Sequence, residues 1–227
     1  MIGIIVFPGT NCEFDVQGAY RELGRDTTIV AHHERDLDDY EAVVIPGGFS
    51  YGDYLRTGAI ARFSPIMESV IRYAGAGGKV LGICNGFQVL TEAGLLPGAL
   101  QRNVGLSFIC GEVTVRVEQT NSILTCGMTV GEELSLPINH FEGNYTADAD
   151  TLERLETQGQ VVLRYVQNPN GSANDIAGIA NVEGNVVGLM PHPERAGLGF
   201  GLTDQAKALL ESVVSNRRSA HSGVHTG

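Results

Sequence analysis

Short runs of β-branched and other apolar residues alternate with longer amphipathic stretches through the first half of the chain. Such runs predict strands, and the amphipathic stretches predict helices. The predicted strands are Ile2–Phe7, Thr27–Ala31, Glu41–Ile45 and Lys79–Ile83. The predicted helices are Glu13–Gly24, Gly58–Ala74 and Asn85–Ala93. This alternation is typical of an α/β fold in which helices flank an open, mostly parallel central sheet.

After Pro97 the pattern changes to β-rich segments that polar turns separate, and it predicts an antiparallel β insertion. The segments are Leu106–Ile109, Val113–Val117, Glu133–Leu136 and Val161–Tyr165. A hairpin and a closing helix are expected to follow, over Ile176–Asn181 with Asn185–Met190 and over Thr203–Asn216. Because no linker or repeat divides the chain, we expect a single domain over residues 1–216 and a disordered tail over residues 217–227.

The composition argues against several classes of function. With 15 Lys and Arg against 26 Asp and Glu, the formal net charge of −11 repels phosphate backbones and anionic lipid surfaces. The chain has no Trp and only 7% aromatic residues, which argues against a platform on which bases stack. Neither nucleic acid nor a membrane is therefore an expected partner.

The four cysteines lie at positions 12, 84, 110 and 126, without the spacing of a zinc site. No metal is therefore expected. The first residues lack the basic leader of a signal peptide, and no stretch has the ~18 apolar residues of a membrane span. We expect a cytoplasmic protein with free thiols, in which Cys110 and Cys126 are structural. Cys12 follows the first strand and could lie near a site, although a packing role is the simpler interpretation.

A cysteine at the point where a strand gives way to a helix is the sharpest motif. Residues 82–86 have the sequence Gly-Ile-Cys-Asn-Gly, the cysteine form of a nucleophile elbow, in which small residues on both sides let strand and helix approach. A thiol at a helix N-terminus is favoured as thiolate, and the backbone N–H of Asn85 would be free to stabilise an oxyanion. Cys84 is therefore the candidate nucleophile, against the alternative of a buried packing residue.

A thiolate nucleophile needs a base, and two of the six histidines lie in His-x-Glu arrangements. His192 and Glu194 follow an apolar strand and are flanked by prolines that fix the backbone, so His192 is the favoured base and Glu194 the group that orients it. The other arrangement is His140 with Glu142, which falls in a predicted polar loop where binding and simple solvation are equally consistent with the sequence. Gly47 and Gly48 follow another strand end and could present backbone N–H groups, a weak signal by itself.

Taken together, these motifs resemble the class I (triad-type) glutamine amidotransferases, which have a flavodoxin-like fold. The motifs are Gly-Ile-Cys-Asn-Gly-Phe-Gln at 82–88, Pro-Gly-Gly at 46–48 and Pro-His-Pro-Glu at 191–194. Further stretches resemble the glutaminase-subunit family of phosphoribosylformylglycinamidine synthases, which act in de novo purine synthesis. These stretches are residues 8–15, 46–59, 168–172 and 175–178. One departure is Phe141, where the family pattern has a smaller residue, and it puts a role for that loop in doubt.

The resemblance implies that Cys84 attacks the carboxamide of glutamine and forms a thioester. It also implies that Gly48 and Asn85 form the oxyanion hole and that Gln88 lines the glutamine pocket. The ammonia would pass to a large synthase subunit, accompanied by a small third subunit. No cofactor is expected in this chain, since ATP and magnesium belong on the synthase partner.

Two other classes stay open on the residues alone. One is another cysteine hydrolase of related fold that cleaves γ-glutamyl or peptide bonds, against which the separate Pro-Gly-Gly loop argues. The other is a noncatalytic nucleotide or flavin module in which Gly47 and Gly48 hold a phosphate, although no Gly-x-Gly-x-x-Gly motif supports it. The loop from Phe49 to Gly58 is expected to be a partner or gating surface, with an ordinary packed Ω-loop as the alternative.

Overall fold

The computed structural model describes residues 1–197 and 201–215, so the tail predicted at 217–227 lies outside the described residues. The strands are β1 Ile2–Val6, β2 Thr27–Ala31, β3 Ala42–Ile45, β4 Val80–Ile83, β5 Ala99–Gln101, β6 Ile109–Val117, β7 Glu133–His140, β8 Asn144–Thr146, β9 Val161–Tyr165, β10 Ile176–Ala180 and β11 Val186–Leu189. The helices are α1 Glu13–Glu22, α2 Pro65–Gly75, α3 Asn85–Glu92, α4 Ala149–Thr157 and α5 Asp204–Val214.

Nine strands form one sheet in the order β2-β1-β3-β4-β11-β10-β9-β6-β7, and β5 pairs with β8 in a small second sheet. The first five strands of this order run parallel, and the rest pair antiparallel. The predicted open α/β sheet with flanking helices is confirmed. The antiparallel strands continue this central sheet, since β10 pairs directly with β11.

Three neighbouring parallel strands carry the motifs picked out in the sequence. Strand β4 lies between β3 and β11, with Gly82 paired to both Ile45 and Gly188. All three strands are buried along their whole length, as expected for a parallel sheet covered on both faces. Because the carboxyl ends of parallel strands meet at one edge, the residues that follow β3, β4 and β11 come together there.

The predicted helix over Gly58–Ala74 is wrong in its first half. Only a 3₁₀ turn occupies Ala61–Phe63, and α2 begins at Pro65 after an extended Ser64. Proline disfavours helical backbone in the residue before it but is well suited to the first helical position, so Pro65 separates the two segments.

The second half of the chain departs more from the predicted elements. The strand predicted over Leu106–Ile109 is wrong, because Leu106 has left-handed backbone with φ of 49° and β6 begins only at Ile109. Helix α4 was not predicted, although Asp148 caps it by accepting a hydrogen bond from the Thr151 backbone N–H at 2.7 Å. Within the described residues, no helix combines the length and apolar character needed to cross a membrane.

Candidate active site

Cys84 lies between β4 and α3 in a strained backbone conformation. Its φ of 50° and ψ of −104° are unusual for a residue other than glycine and are maintained by the packing around it. A Cβ atom at Gly86 would overlap the backbone oxygen of Ile45, and one at Gly82 would lie 2.7 Å from the backbone of Gly86. The two glycines therefore permit the close approach of strand and helix that the elbow requires.

His192 and Glu194 follow β11 and form a buried pair. The His192 ring contacts the Glu194 carboxylate, with Nδ1 and Oε1 2.7 Å apart, and their side chains are 2% and 0% exposed. The backbone N–H of His192 donates to the Pro137 carbonyl of β7 at 2.8 Å, which fixes the turn against the sheet. With Nδ1 engaged by Glu194, Nε2 is the nitrogen left for chemistry.

The charges around His192 favour its protonated form. Burial by itself would lower the pKa of His192, but the negative charges of Glu194 and of a Cys84 thiolate outweigh burial and raise the pKa to about 10. A protonated imidazole beside a cysteine in turn stabilises the thiolate. His192 is therefore held as an imidazolium in the cavity that Cys84 also lines.

Gly48 and Asn85 place backbone N–H groups at the same edge of the sheet. Neither N–H has a hydrogen-bond partner among the described residues, so both remain available to an oxyanion. Gly48 has φ of 141°, and a Cβ there would lie 2.7 Å from the Asn11 backbone nitrogen. Gly47 serves differently, since a Cβ there would lie 2.8 Å from Cε1 of His192. Its small size therefore makes room for the imidazole.

A cavity of about 480 Å³ opens at this edge of the sheet. Cys84, His192, Gly48 and Gln88 line it, whereas Glu194 lies behind the imidazole. This volume suits a small polar molecule. The structure thus brings a thiol, a charged histidine and free backbone donors to one site.

Residues 1–208 match the family model of the CobB/CobQ-like glutamine amidotransferase domain. A PurQ subunit of phosphoribosylformylglycinamidine synthase from Lacticaseibacillus paracasei is 58% identical over 194 residues, 85% of each chain. One from Nostoc sp. is 56% identical over 219 residues, 94% of this chain and 98% of that protein. The chain belongs to this glutamine amidotransferase family, among its PurQ subunits.

A solved structure supports the same assignment. The chain matches one in PurLQS from Thermotoga maritima with a TM-score of 0.86 and 41% identity, covering 94% of this chain and 96% of that one. A putative GMP synthase subunit from Thermoplasma acidophilum shares the fold with a TM-score of 0.65 at 18% identity, covering 94% of this chain and 92% of that one. The predicted resemblance is confirmed. The chain is a glutamine amidotransferase, and the cysteine-hydrolase and nucleotide-module alternatives are not favoured.

In this PurQ-family chain, Gln88 is held tightly in the cavity wall. Its Oε1 accepts from Asn85 Nδ2 at 2.9 Å, and its Nε2 donates to the Glu142 backbone oxygen at 2.5 Å. The Asn85 side chain is fixed in turn, because its Oδ1 accepts from the backbone N–H of Ser50 at 3.1 Å. Gln88 therefore lines the cavity with both ends of its amide already bonded to the protein, and its contact with glutamine stays a prediction.

The second His-x-Glu arrangement contributes more to the site than its sequence context indicates. His140 is not in a solvated loop: it is the last residue of β7, is 3% exposed and lines the cavity. Glu142 also lines the cavity and accepts from the Thr57 hydroxyl at 2.6 Å. His140 and Glu142 come from a part of the chain that only long-range strand pairing brings close to Cys84. The His-x-Glu spacing was therefore the one sequence signal that could have assigned them to the site.

Asp53 is a further acidic residue of the cavity; it lies in the 46–59 stretch, but its sequence context offered no reason to assign it to the site. Burial first, and then the negative charge of Glu142, raise the pKa of Asp53 to about 6. The Asp53 and Glu142 carboxylates both line the cavity, and Arg102 Nε lies 3.7 Å from Oε1 of Glu142. Phe141 lies between His140 and Glu142 and also lines the cavity, with the Arg102 guanidinium 5.9 Å from its ring centroid.

The other cysteines differ in their surroundings. Cys12 is buried and lines the cavity. Burial first, and then the charge of Glu194, raise the pKa of its thiol to about 12, so it stays protonated. Atoms of Cys12, His192 and Glu194 lie within 4.8 Å of one another, but the His192–Glu194 hydrogen bond already occupies two of the three groups. Cys110 is exposed, which does not fit the predicted structural role, and Cys126 is half-buried.

Proposed function

We propose that this chain hydrolyses L-glutamine at Cys84 and supplies the ammonia to a synthase subunit that makes formylglycinamidine ribonucleotide from formylglycinamide ribonucleotide with ATP. The observation that carries this proposal is the convergence of the strained Cys84 with the buried His192–Glu194 pair in one cavity. Membership in the PurQ subunits supplies the substrate class and the acceptor reaction.

The first half of the reaction forms a thioester. The Cys84 thiolate attacks the carboxamide carbon of glutamine, and the carbonyl electron pair moves to oxygen. The Gly48 and Asn85 backbone N–H groups stabilise that oxyanion. His192 then gives its proton to the nitrogen, the C–N bond breaks, and ammonia leaves as the carbonyl re-forms.

The second half releases glutamate. His192, now neutral, removes a proton from a water molecule, whose oxygen attacks the thioester carbon. The C–S bond then breaks and Cys84 leaves as a thiolate beside the imidazolium. Glu194 holds the ring throughout and stabilises its positive charge, so the same histidine serves both steps.

We infer that residues 1–216 form one domain devoted to this half-reaction, since a single nine-stranded sheet organises the described residues. ATP and magnesium would then belong to the large synthase subunit, with a small third subunit completing the complex. The PurLQS structure from Thermotoga maritima, in which a chain similar to this one occurs, favours such an assembly. The cytoplasmic location stays a prediction.

The loop from Phe49 to Gly58 is the surface we propose for docking the synthase. Tyr54 and Leu55 are 69% and 79% exposed, whereas the Tyr51 hydroxyl is anchored 2.9 Å from the Ser64 hydroxyl. Tyr51, Asp53 and Leu55 all have left-handed backbone, so the loop has a defined shape. An anchored loop with exposed apolar tips beside the cavity is the arrangement expected of a partner surface.

The proposal is tested by the selectivity of covalent labelling. We expect a glutamine-analogue electrophile to modify Cys84 and to spare Cys12, whose thiol stays protonated although it shares the cavity. Peptide mass mapping of the four cysteines measures this, and excess glutamine should protect Cys84. Equal labelling of all four cysteines, or labelling that glutamine does not slow, would count against Cys84 as nucleophile.

A further inference from the structure

The Asn103 side chain has its orientation fixed by the carbonyl groups around it. Its Nδ2 donates to the backbone oxygens of Ser107 at 2.9 Å and of His140 at 3.0 Å. Two carbonyl acceptors on one side of the amide require nitrogen there, so the amide oxygen must face the other way. That oxygen accepts from the backbone N–H of Gly143 at 3.1 Å, which agrees with this orientation.

This orientation determines which nitrogen of His140 carries the proton. Nδ1 of His140 lies 3.1 Å from Oδ1 of Asn103. Because an amide oxygen can only accept, Nδ1 must be the protonated nitrogen of the neutral ring. The opposite nitrogen, Nε2, is then a bare acceptor.

Nε2 of His140 is buried and has no hydrogen-bond partner in the described part of the chain. The ring cannot move away easily, since it packs so closely on Gly143 that a Cβ there would overlap it. Burial first, and then the charge of His192, lower the pKa of His140 to about 4, so the ring stays neutral at physiological pH. A buried acceptor without a donor is costly, and His140 lines the cavity that receives substrate.

We propose that His140 is a positioning residue whose Nε2 accepts a hydrogen bond from an N–H of the carboxamide of bound glutamine. The inference rests on the proposed function and deepens it. Within the carboxamide, only the nitrogen can donate a hydrogen bond, because the carbonyl oxygen is an acceptor and faces the backbone N–H groups of Gly48 and Asn85. The substrate ammonium is better matched by the carboxylates of Asp53 and Glu142, which line the same cavity.

The hydrogen bond would orient the leaving nitrogen. When Cys84 adds to the carbon, that nitrogen becomes pyramidal and gains a lone pair that must face the His192 proton before the C–N bond can break. Holding one N–H against His140 turns the lone pair toward His192. Because the pKa of His140 is lowered to about 4, its Nε2 accepts the hydrogen bond without becoming protonated, and the proton that the leaving nitrogen needs comes from His192.

The test compares two variants and two substrates in the complex with the synthase subunits. In His140→Asn, the amide nitrogen can replace Nδ1 as donor to Asn103, but no atom replaces Nε2. In His140→Gln, the longer side chain returns an acceptor near the place of Nε2. The substrates are glutamine and the γ-methyl ester of glutamate, which forms the same thioester but has no N–H on its leaving group.

We expect His140→Asn to lower kcat for glutamine by roughly tenfold or more, as fits one buried hydrogen bond left unmade. Hydrolysis of the ester should stay close to that of the unchanged complex, and His140→Gln should recover much of the glutamine rate. A parallel loss with both substrates, or no loss with glutamine, would overturn the proposal. Cys84→Ala should abolish both reactions, and survival of either would instead refute the proposed function itself.

Discussion

At the residue scale, the site depends on glycines at positions where any side chain would collide with a neighbour. The elbow is possible only because Gly86 meets the Ile45 carbonyl without a Cβ, and His192 reaches its position only because Gly47 leaves room for the ring. Each of these glycines allows a contact between backbone and a neighbouring strand or ring. The relative placement of Cys84, His192 and Glu194 therefore depends on close packing around these glycines as much as on the three side chains themselves.

Replacement of Gly86 by alanine tests this packing. We expect Gly86→Ala to lower the free energy of unfolding by about 1–3 kcal/mol or more, because the added methyl overlaps the Ile45 carbonyl. Gly18→Ala in α1 is the matched control, since a Cβ there meets nothing within 4 Å and alanine favours helix. Urea unfolding measures both variants, and equal stabilities would show that the elbow tolerates a side chain.

Glu194 is the residue whose charge sets the state of His192. In Glu194→Gln, the carboxylate no longer offsets burial, so we expect the pKa of His192 to fall from its raised value. His192 should then lose its proton at a lower pH than in the unchanged protein. In the pH–rate profile of glutamine hydrolysis, the fall in activity on the alkaline side should therefore move to lower pH. We also expect kcat to fall about 100-fold.

NMR titration of the His192 ring measures the shift directly. Glu183→Gln, in the exposed turn between β10 and β11, provides the control and should leave the titration unchanged. An unaltered His192 pKa in Glu194→Gln would mean that Glu194 does not set the charge state of His192.

At the scale of elements, the active edge is formed by the ends of three adjacent parallel strands, β3, β4 and β11. A loop follows β3, a helix follows β4 and a 3₁₀ turn follows β11, so each strand delivers a different part of the site. The docking loop follows β3 after the Pro-Gly-Gly segment at 46–48, and its residues Phe49, Asp53 and Thr57 line the cavity. The proposed docking loop and the catalytic residues thus share one edge of the sheet.

The docking loop is tested by replacing two of its exposed apolar side chains with alanine. We expect Tyr54→Ala with Leu55→Ala to weaken binding to the synthase by about tenfold or more, because exposed apolar residues that become buried dominate interfaces. Val182→Ala is the control, since Val182 is 65% exposed in the β10–β11 turn. Titration calorimetry measures both, and equal affinities would leave the loop as an ordinary packed one.

The sequence predicted the parallel half of the fold well, because each element there has a local signal. The strand Thr27–Ala31 has the predicted bounds, and Cys84 lies at the predicted junction. His140 was misplaced because its burial depends on β7 pairing with β6, a contact that no local pattern reveals. Pro65 was a readable signal for the start of α2, as was Asp148 for the start of α4.

At the scale of the whole molecule, a nine-stranded sheet organises the described residues, with a small two-stranded sheet beside it, and Cys84 and His192 line a cavity at one edge of the larger sheet. In the proposed function, this chain makes ammonia for chemistry that the synthase subunit performs. Glutamine use and ammonia use should therefore be separable in the complex.

The amidation activity of the complex carrying Cys84→Ala tests this separation most directly. We expect the complex to lose amidation with glutamine and to keep amidation with added ammonium salt, since the synthase site stays intact when only the thiol is removed. Cys110→Ala, at an exposed position, is the control and should retain both activities. Loss of both activities in Cys84→Ala, or retention of the glutamine-dependent one, would contradict the account.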